Sequence, residues 1–135
     1  MVTQTPEAAL QLATVPQVVD RYFSGFNAED YDRIADLFVE DGVLLAPFEE
    51  PIVGPEAICA YLKAEAGAMR ATPVEVDVVV NPDGMRQVIV GGRVKTLLFS
   101  VNVRWTFVLT ATDEIQSAEI KLLASLRELM QFDRS

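Results

Sequence analysis

The hydrophobic period changes at Thr72 from about 3.6 residues to about 2. Before that point the apolar residues fall on helical stripes. After it they alternate, and turn signals separate the alternating runs. Helices first and hairpin-linked strands afterwards is an α+β order.

Thr14 to Gln17, "TVPQ", offers an N-cap, a first-turn proline and a return partner three residues on. A helix from about Val15 to Phe26 is predicted, with Val15, Val18, Val19, Tyr22, Phe23 and Phe26 on one stripe. Asn27 reads as the cap of a second helix. Tyr31, Ile34, Leu37 and Phe38 follow at helical spacing, and "EDG" stops it near Gly42. "VLLAPF" reads as a brief strand. "PIVGPEAICAYLKAE" gives a short extended piece and a helix opening at Pro55, with Ile58, Tyr61, Leu62 and Met69 in line. Glu65 falls on that same apolar line.

"VEVDVVV" precedes the turn signal "NPDG". "RQVIVGGRVKTLL" follows, with Val90, Val94, Thr96 and Leu98 on one face. "FSVN" is the expected bend before "VRWTFVL", where Val103, Trp105, Phe107 and Leu109 share a face. "TATDE" is a turn, and "IQSAEIKLLA" alternates with Ala118, Ile120 and Leu122 inward. The tail "SLRELMQF" suits a last helix. The expected fold is one α+β domain over 1–135. A cone-shaped, curved antiparallel or mixed sheet wraps about three helices, with an extension at 1–13 and a tail at 125–135. Such a cone has an apolar interior open at one end.

Half the residues are hydrophobic and mean hydropathy is +0.23, which suits a large apolar interior, a cavity or a buried subunit interface. The net charge of −9 repels nucleic acid, and no basic run marks an exception. The chain has no histidine, which removes the commonest general base and most zinc sites, so no metal is expected. Cys59 lies in an apolar helical pattern and reads as a small buried thiol. "MVTQTPEAALQLA" lacks a signal-peptide pattern and no segment is long enough to span a bilayer, so a cytoplasmic location is expected.

Tyr22 and Trp105 each put one polar tip on an inward apolar face. An unpaired buried donor costs about 1–3 kcal/mol. A backbone carbonyl or buried water satisfies each, or one ligand carbonyl satisfies both. An enzyme would need an inward carboxylate as base, as in isomerases of ketosteroids. Asp20, Asp30, Asp36, Asp41 and Asp77 fall on polar faces or caps. Glu49 and Glu50 lie beside the mouth and are the least implausible candidates. No catalytic residue is assigned, and an isomerase or cyclase remains the alternative, as does a ligand-free dimerisation module.

"RYFSGFNAEDYDRIADLFVEDGVLLAPFEEPIVGPEAICAYL" resembles the layout of nuclear-transport-factor-2-like domains. More narrowly, "LFVEDGVLLAPFEEPIVGPEAI", "GRVKT", "VNVRWTF" and "IKLLAS" together resemble the C-terminal domain of the orange carotenoid protein, and above all its stand-alone homologues in cyanobacteria. The resemblance covers about residues 15–132. It implies binding of a keto-carotenoid of the canthaxanthin or echinenone class, with Tyr22 and Trp105 donating to the ring carbonyl. It implies an apolar lining from Phe38, Val53 and Phe99. To these it adds the strand positions Val94, Thr96, Leu98, Phe107, Ile120 and Leu122. Glu65 matches a glutamate that contacts a partner domain; an ordinary exposed helix charge is the other reading. Leu98 stands where the family usually has a second Trp, and Phe99 where one group of homologues has Cys. Photoprotection, storage and carotenoid transfer are the implied roles. Expected partners are a second copy in a homodimer sharing one pigment, a separate helical carotenoid-binding protein, and transiently a membrane for pigment uptake.

Overall fold

The structure is a computed structural model and describes residues 15–123. The Thr14 cap, the 1–13 extension and the 125–135 tail helix lie outside the described residues.

Helix α1 spans Gln17–Ala28, with Pro16 at the N-cap position. Its stripe of Val18, Val19, Tyr22, Phe23 and Phe26 is buried, as the spacing requires. Glu29 ends it in a left-handed conformation, φ 57°, and the Asp30 N–H returns to the Gly25 carbonyl at 2.8 Å. Helix α2, Tyr31–Ala35, is a single short piece. The sequence had predicted a longer helix capped by Asn27 and stopping at "EDG". Instead Asn27 belongs to α1, Asp30 precedes α2, and Phe38 begins strand β1, Phe38–Leu45. Tyr31, Ile34 and Phe38 are all buried. The apolar spacing therefore marks core contacts correctly, but those contacts come from two kinds of element. The "EDG" signal sits where the register of β1 jumps between Phe38 and Val43. Gly42 lies there against the Phe38 ring, which an added Cβ would meet at 3.0 Å.

Strand β2, Ile52–Val53, leads through Gly54 (φ 94°) into helix α3, Pro55–Glu65, with Pro55 in the first turn. Four long strands follow: β3 Arg70–Val80, β4 Arg86–Lys95, β5 Ser100–Leu109 and β6 Ile115–Leu123. They pair antiparallel in sequence, and β6 then pairs parallel with β1. The result is one six-stranded mixed sheet in the order β2-β1-β6-β5-β4-β3. The fold is the expected nuclear-transport-factor-2-like arrangement, three helices against a curved open sheet.

The β4–β5 connection corrects the expected strand. Alternation stops at Lys95, and Thr96 to Phe99 form the turn, while "SVN" of "FSVN" lies inside β5. Thr96 Oγ1 accepts from the N–H groups of Leu98 (3.2 Å) and Phe99 (3.1 Å) and donates to the Phe99 carbonyl (3.0 Å). A hydroxyl bonded to nearby backbone competes with the ladder, and here it wins. In edge strand β3 the register slips between Pro73 and Glu75, so Val74 is the extra, exposed residue.

Candidate functional site

A cavity of about 270 Å3 lies between the inner sheet face, α1 and α3. Tyr22 and Phe26 reach it from α1, and Tyr61, Leu62 and Glu65 from α3. The sheet supplies Val103 and Trp105 among others, and Ala46 and Pro47 follow the end of β1. The wall is overwhelmingly apolar because the inward parity of each strand carries Val, Ile, Leu and aromatic residues.

Tyr22 is 1% exposed, and its hydroxyl is buried without a hydrogen-bond partner. Its ring is held edge-on to Phe107, centroids 5.0 Å apart, and edge-on to Phe23 at 5.4 Å. Burial, and secondarily Tyr61, push its phenol well above the usual tyrosine range, so it stays a protonated donor. Trp105 is also buried on the cavity wall, and Phe23 meets it edge-on at 4.8 Å. Phe23 thus braces both Tyr22 and Trp105. The Tyr31 hydroxyl is likewise buried without a partner, but Tyr31 is not on the cavity wall. What sets Tyr22 apart is that its orphaned donor belongs to a residue of the apolar cavity wall.

Of the residues singled out from the sequence, Val94, Thr96, Phe99, Ile120, Leu122 and Glu65 share the wall with Tyr22 and Trp105. Phe38, Val53, Leu98 and Phe107 do not. Phe38 is buried in the core at the start of β1, and Phe107 is sealed behind Tyr22. Val53 is 56% exposed on β2, and Leu98 is exposed at the β4–β5 turn. Leu98 therefore cannot stand in for a wall aromatic from within the cavity, because the turn has carried it out of the inward parity.

Sequence reasoning missed Tyr61, which adds a second phenol to the wall. It was visible on the apolar line of α3 but was counted only as bulk. Burial raises its phenol first, then Glu49 and Glu65. Glu65 is exposed at the mouth, and Glu49 and Glu50 are exposed and off the wall. No polar or charged residue is buried among the described residues, and Glu65, the carboxylate on the cavity wall, is exposed. Cys59 is half-buried rather than enclosed. Its thiol donates to Asp32 Oδ1 at 3.1 Å, with Lys63 Nζ 3.5 Å from the same oxygen. That hydrogen bond pushes the thiol up and holds the Asp32 carboxyl down.

A phenol, an indole and apolar walls around one cavity make a candidate small-molecule site on a nuclear-transport-factor-2-like scaffold. The chain belongs to the SnoaL-like domain family, whose profile matches residues 19–120. It is 35% identical over 117 residues to the orange carotenoid-binding protein of Synechocystis sp., a match covering 84% of this chain and 37% of that protein. The orange carotenoid protein of Anabaena (Nostoc) sp. PCC 7120 binding canthaxanthin superposes with a TM-score of 0.79 at 37% identity, covering 86% of this chain and 38% of that one. The matched portion is its C-terminal domain. The chain thus spans little more than a third of the length of these relatives. The epoxide hydrolase/cyclase-like enzyme SalBIII shares the fold at 19% identity and a TM-score of 0.62, over 81% of this chain and 90% of its own.

Proposed function

We propose that the cavity binds one end ring of a keto-carotenoid. The observation that carries this reading is the buried Tyr22 hydroxyl, which has no partner, on a residue of the apolar cavity wall. A ring carbonyl is an acceptor that arrives without a proton of its own. It suits a donor that burial keeps protonated, and Trp105, whose indole N–H is a donor only, stands on the same wall. Similarity to carotenoid-binding proteins supports the same reading.

The division of labour follows from the wall. Apolar burial at about 25 cal/mol per Å2 supplies most of the affinity. The two donors fix the ring's orientation, and Phe23 and Phe107 hold those donors in place. The pigment, when bound, supplies a long polyene whose electron density shifts toward a hydrogen-bonded carbonyl, which reddens its absorption. A cavity of about 270 Å3 lies below the roughly 300–1,000 Å3 that encloses a drug-sized ligand. The rest of such a rod would protrude, and a second copy holding the other ring would cover it. Storage, photoprotection and transfer to a helical carotenoid-binding protein are the roles such a cytoplasmic homodimer would serve. An isomerase would need an enclosed carboxylate base, and Glu65, the acid on the wall, is exposed.

The test is production of the full chain in bacteria that make canthaxanthin. Pigment should co-purify with the protein and absorb to the red of free canthaxanthin. A well-folded protein that emerges colourless would contradict the proposal.

A further inference from the structure

The polar side chains on the cavity wall are Tyr22, Trp105, Thr96, Tyr61 and Glu65. Hydrogen bonds within the β4–β5 turn already occupy the Thr96 hydroxyl. The pigment reading uses Tyr22 and Trp105, both buried. Tyr61 and Glu65 remain. They stand at i and i+4 on α3, side by side on the face that this helix gives to the cavity. Among the described residues neither makes a side-chain hydrogen bond or an ion pair.

Exposure rises along the wall, from buried Tyr22 and Trp105 through half-buried Tyr61 to exposed Glu65. Tyr61 is electrically coupled to both ends of that series. After burial, it is the group that raises the Tyr22 phenol, while Glu49 and Glu65 raise its own. Charge effects weaken with distance, so Tyr61 is a near neighbour of the Tyr22 phenol and of carboxylate charge alike.

The two pairs of groups ask for different ligand chemistry. A protonated phenol and an indole N–H suit an oxygen that only accepts, such as a carbonyl. A carboxylate also only accepts, so it repels a carbonyl oxygen and pairs with an O–H. The phenol beside it can donate to that same hydroxyl oxygen. A hydroxyl is neutral, so burying it against apolar walls costs far less than burying a cation. Both demands are met on one ring by a carbonyl and a hydroxyl on adjacent carbons, an α-hydroxy ketone.

We infer that the site selects an end ring with a hydroxyl on the carbon next to its carbonyl, the hydroxyl accepting from Tyr61 and donating to Glu65 while Tyr22 and Trp105 take the carbonyl. This deepens the pigment reading and rests on it: plain keto rings still enter, and Tyr61 and Glu65 set the order of preference.

The experiment titrates the pigment-free full chain in detergent with canthaxanthin, whose rings carry only the carbonyl, and with astaxanthin, whose rings carry both groups. Quenching of Trp105, the chain's single tryptophan, reads the affinity. Astaxanthin should bind about tenfold tighter. Tyr61→Phe removes one hydroxyl and should bring that ratio to about twofold or less. Glu65→Gln keeps an acceptor without the charge and should bring it to about threefold. Tyr22→Phe should weaken both pigments alike and preserve the ratio. Circular dichroism checks that the variants fold as the parent does. Equal affinity for the two pigments, or a preference that survives both Tyr61→Phe and Glu65→Gln, overturns the inference and leaves the pigment reading standing. A folded protein quenched by neither pigment overturns the pigment reading, and this inference falls with it.

Discussion

Asn27 grips Ala71 through both ends of its amide: Nδ2 donates to the Ala71 carbonyl at 2.9 Å, and Oδ1 accepts from the Ala71 N–H at 2.7 Å. The pair ties the last turn of α1 to the first residues of β3, next to the cavity wall at Met69. Asn27→Ala leaves two half-buried backbone groups without partners, so stability should fall by about 2–3 kcal/mol. Urea unfolding measures this, and a loss under about 0.5 kcal/mol would show that water replaces the amide.

The β3 slip depends on the absence of a side chain at Gly92. A Cβ there would collide with the Thr72 carbonyl oxygen and lie 2.9 Å from Pro73 Cα, both backbone atoms of the partner strand. Gly92→Ala should therefore cost about 2 kcal/mol or more. Gly67 has nothing within 4 Å of the same added atom, and Gly67→Ala should be neutral or stabilise by up to about 1 kcal/mol. Thermal melts of the two variants should diverge; equal melts would contradict the close approach at Gly92.

Tyr22, Tyr31 and Tyr61 are the three tyrosines of the chain, and burial raises the phenol of each. The unfolded chain begins to release these protons near pH 10. The native protein retains them, so the contribution of the phenols to stability is complete below that pH. It is lost progressively as pH rises above it. Absorbance at tyrosinate wavelengths should stay low at pH 10 in the native protein and jump on unfolding. Ionisation of all three with ordinary titration in the folded state would contradict the burial.

The sheet half of the fold was legible because period 2 over long runs is hard to mistake. Val103, Trp105, Phe107 and Leu109 fell on the inner face by parity alone, and all are buried. The errors cluster where a few residues change the element. Tyr31, Ile34 and Phe38 kept helical spacing although a helix supplies the first two and a strand the third. Asn27 looked like a cap because its amide suits that task, but a strand distant in sequence claimed it. Thr96 ended β4 early through its hydroxyl, which removed Leu98 from the inner face. The resemblance placed Phe107 at the cavity, and parity could not correct it, because parity cannot separate a wall residue from one sealed a layer deeper. Tyr22 and Trp105 were legible as inward polar tips; the missing partner of Tyr22 was not, since it depends on what the fold leaves beside it.

That missing partner gives the most direct measurement. In the pigment-free protein the Tyr22 hydroxyl costs desolvation and forms no bond, so Tyr22→Phe should leave urea stability unchanged or raise it by about 1 kcal/mol. The same substitution should weaken canthaxanthin binding about threefold to tenfold, with the visible band moving to the blue. Opposite signs in the two states mark a donor kept for a ligand. A Tyr22→Phe protein that loses stability without pigment, and binds canthaxanthin with unchanged affinity and colour, would contradict the account.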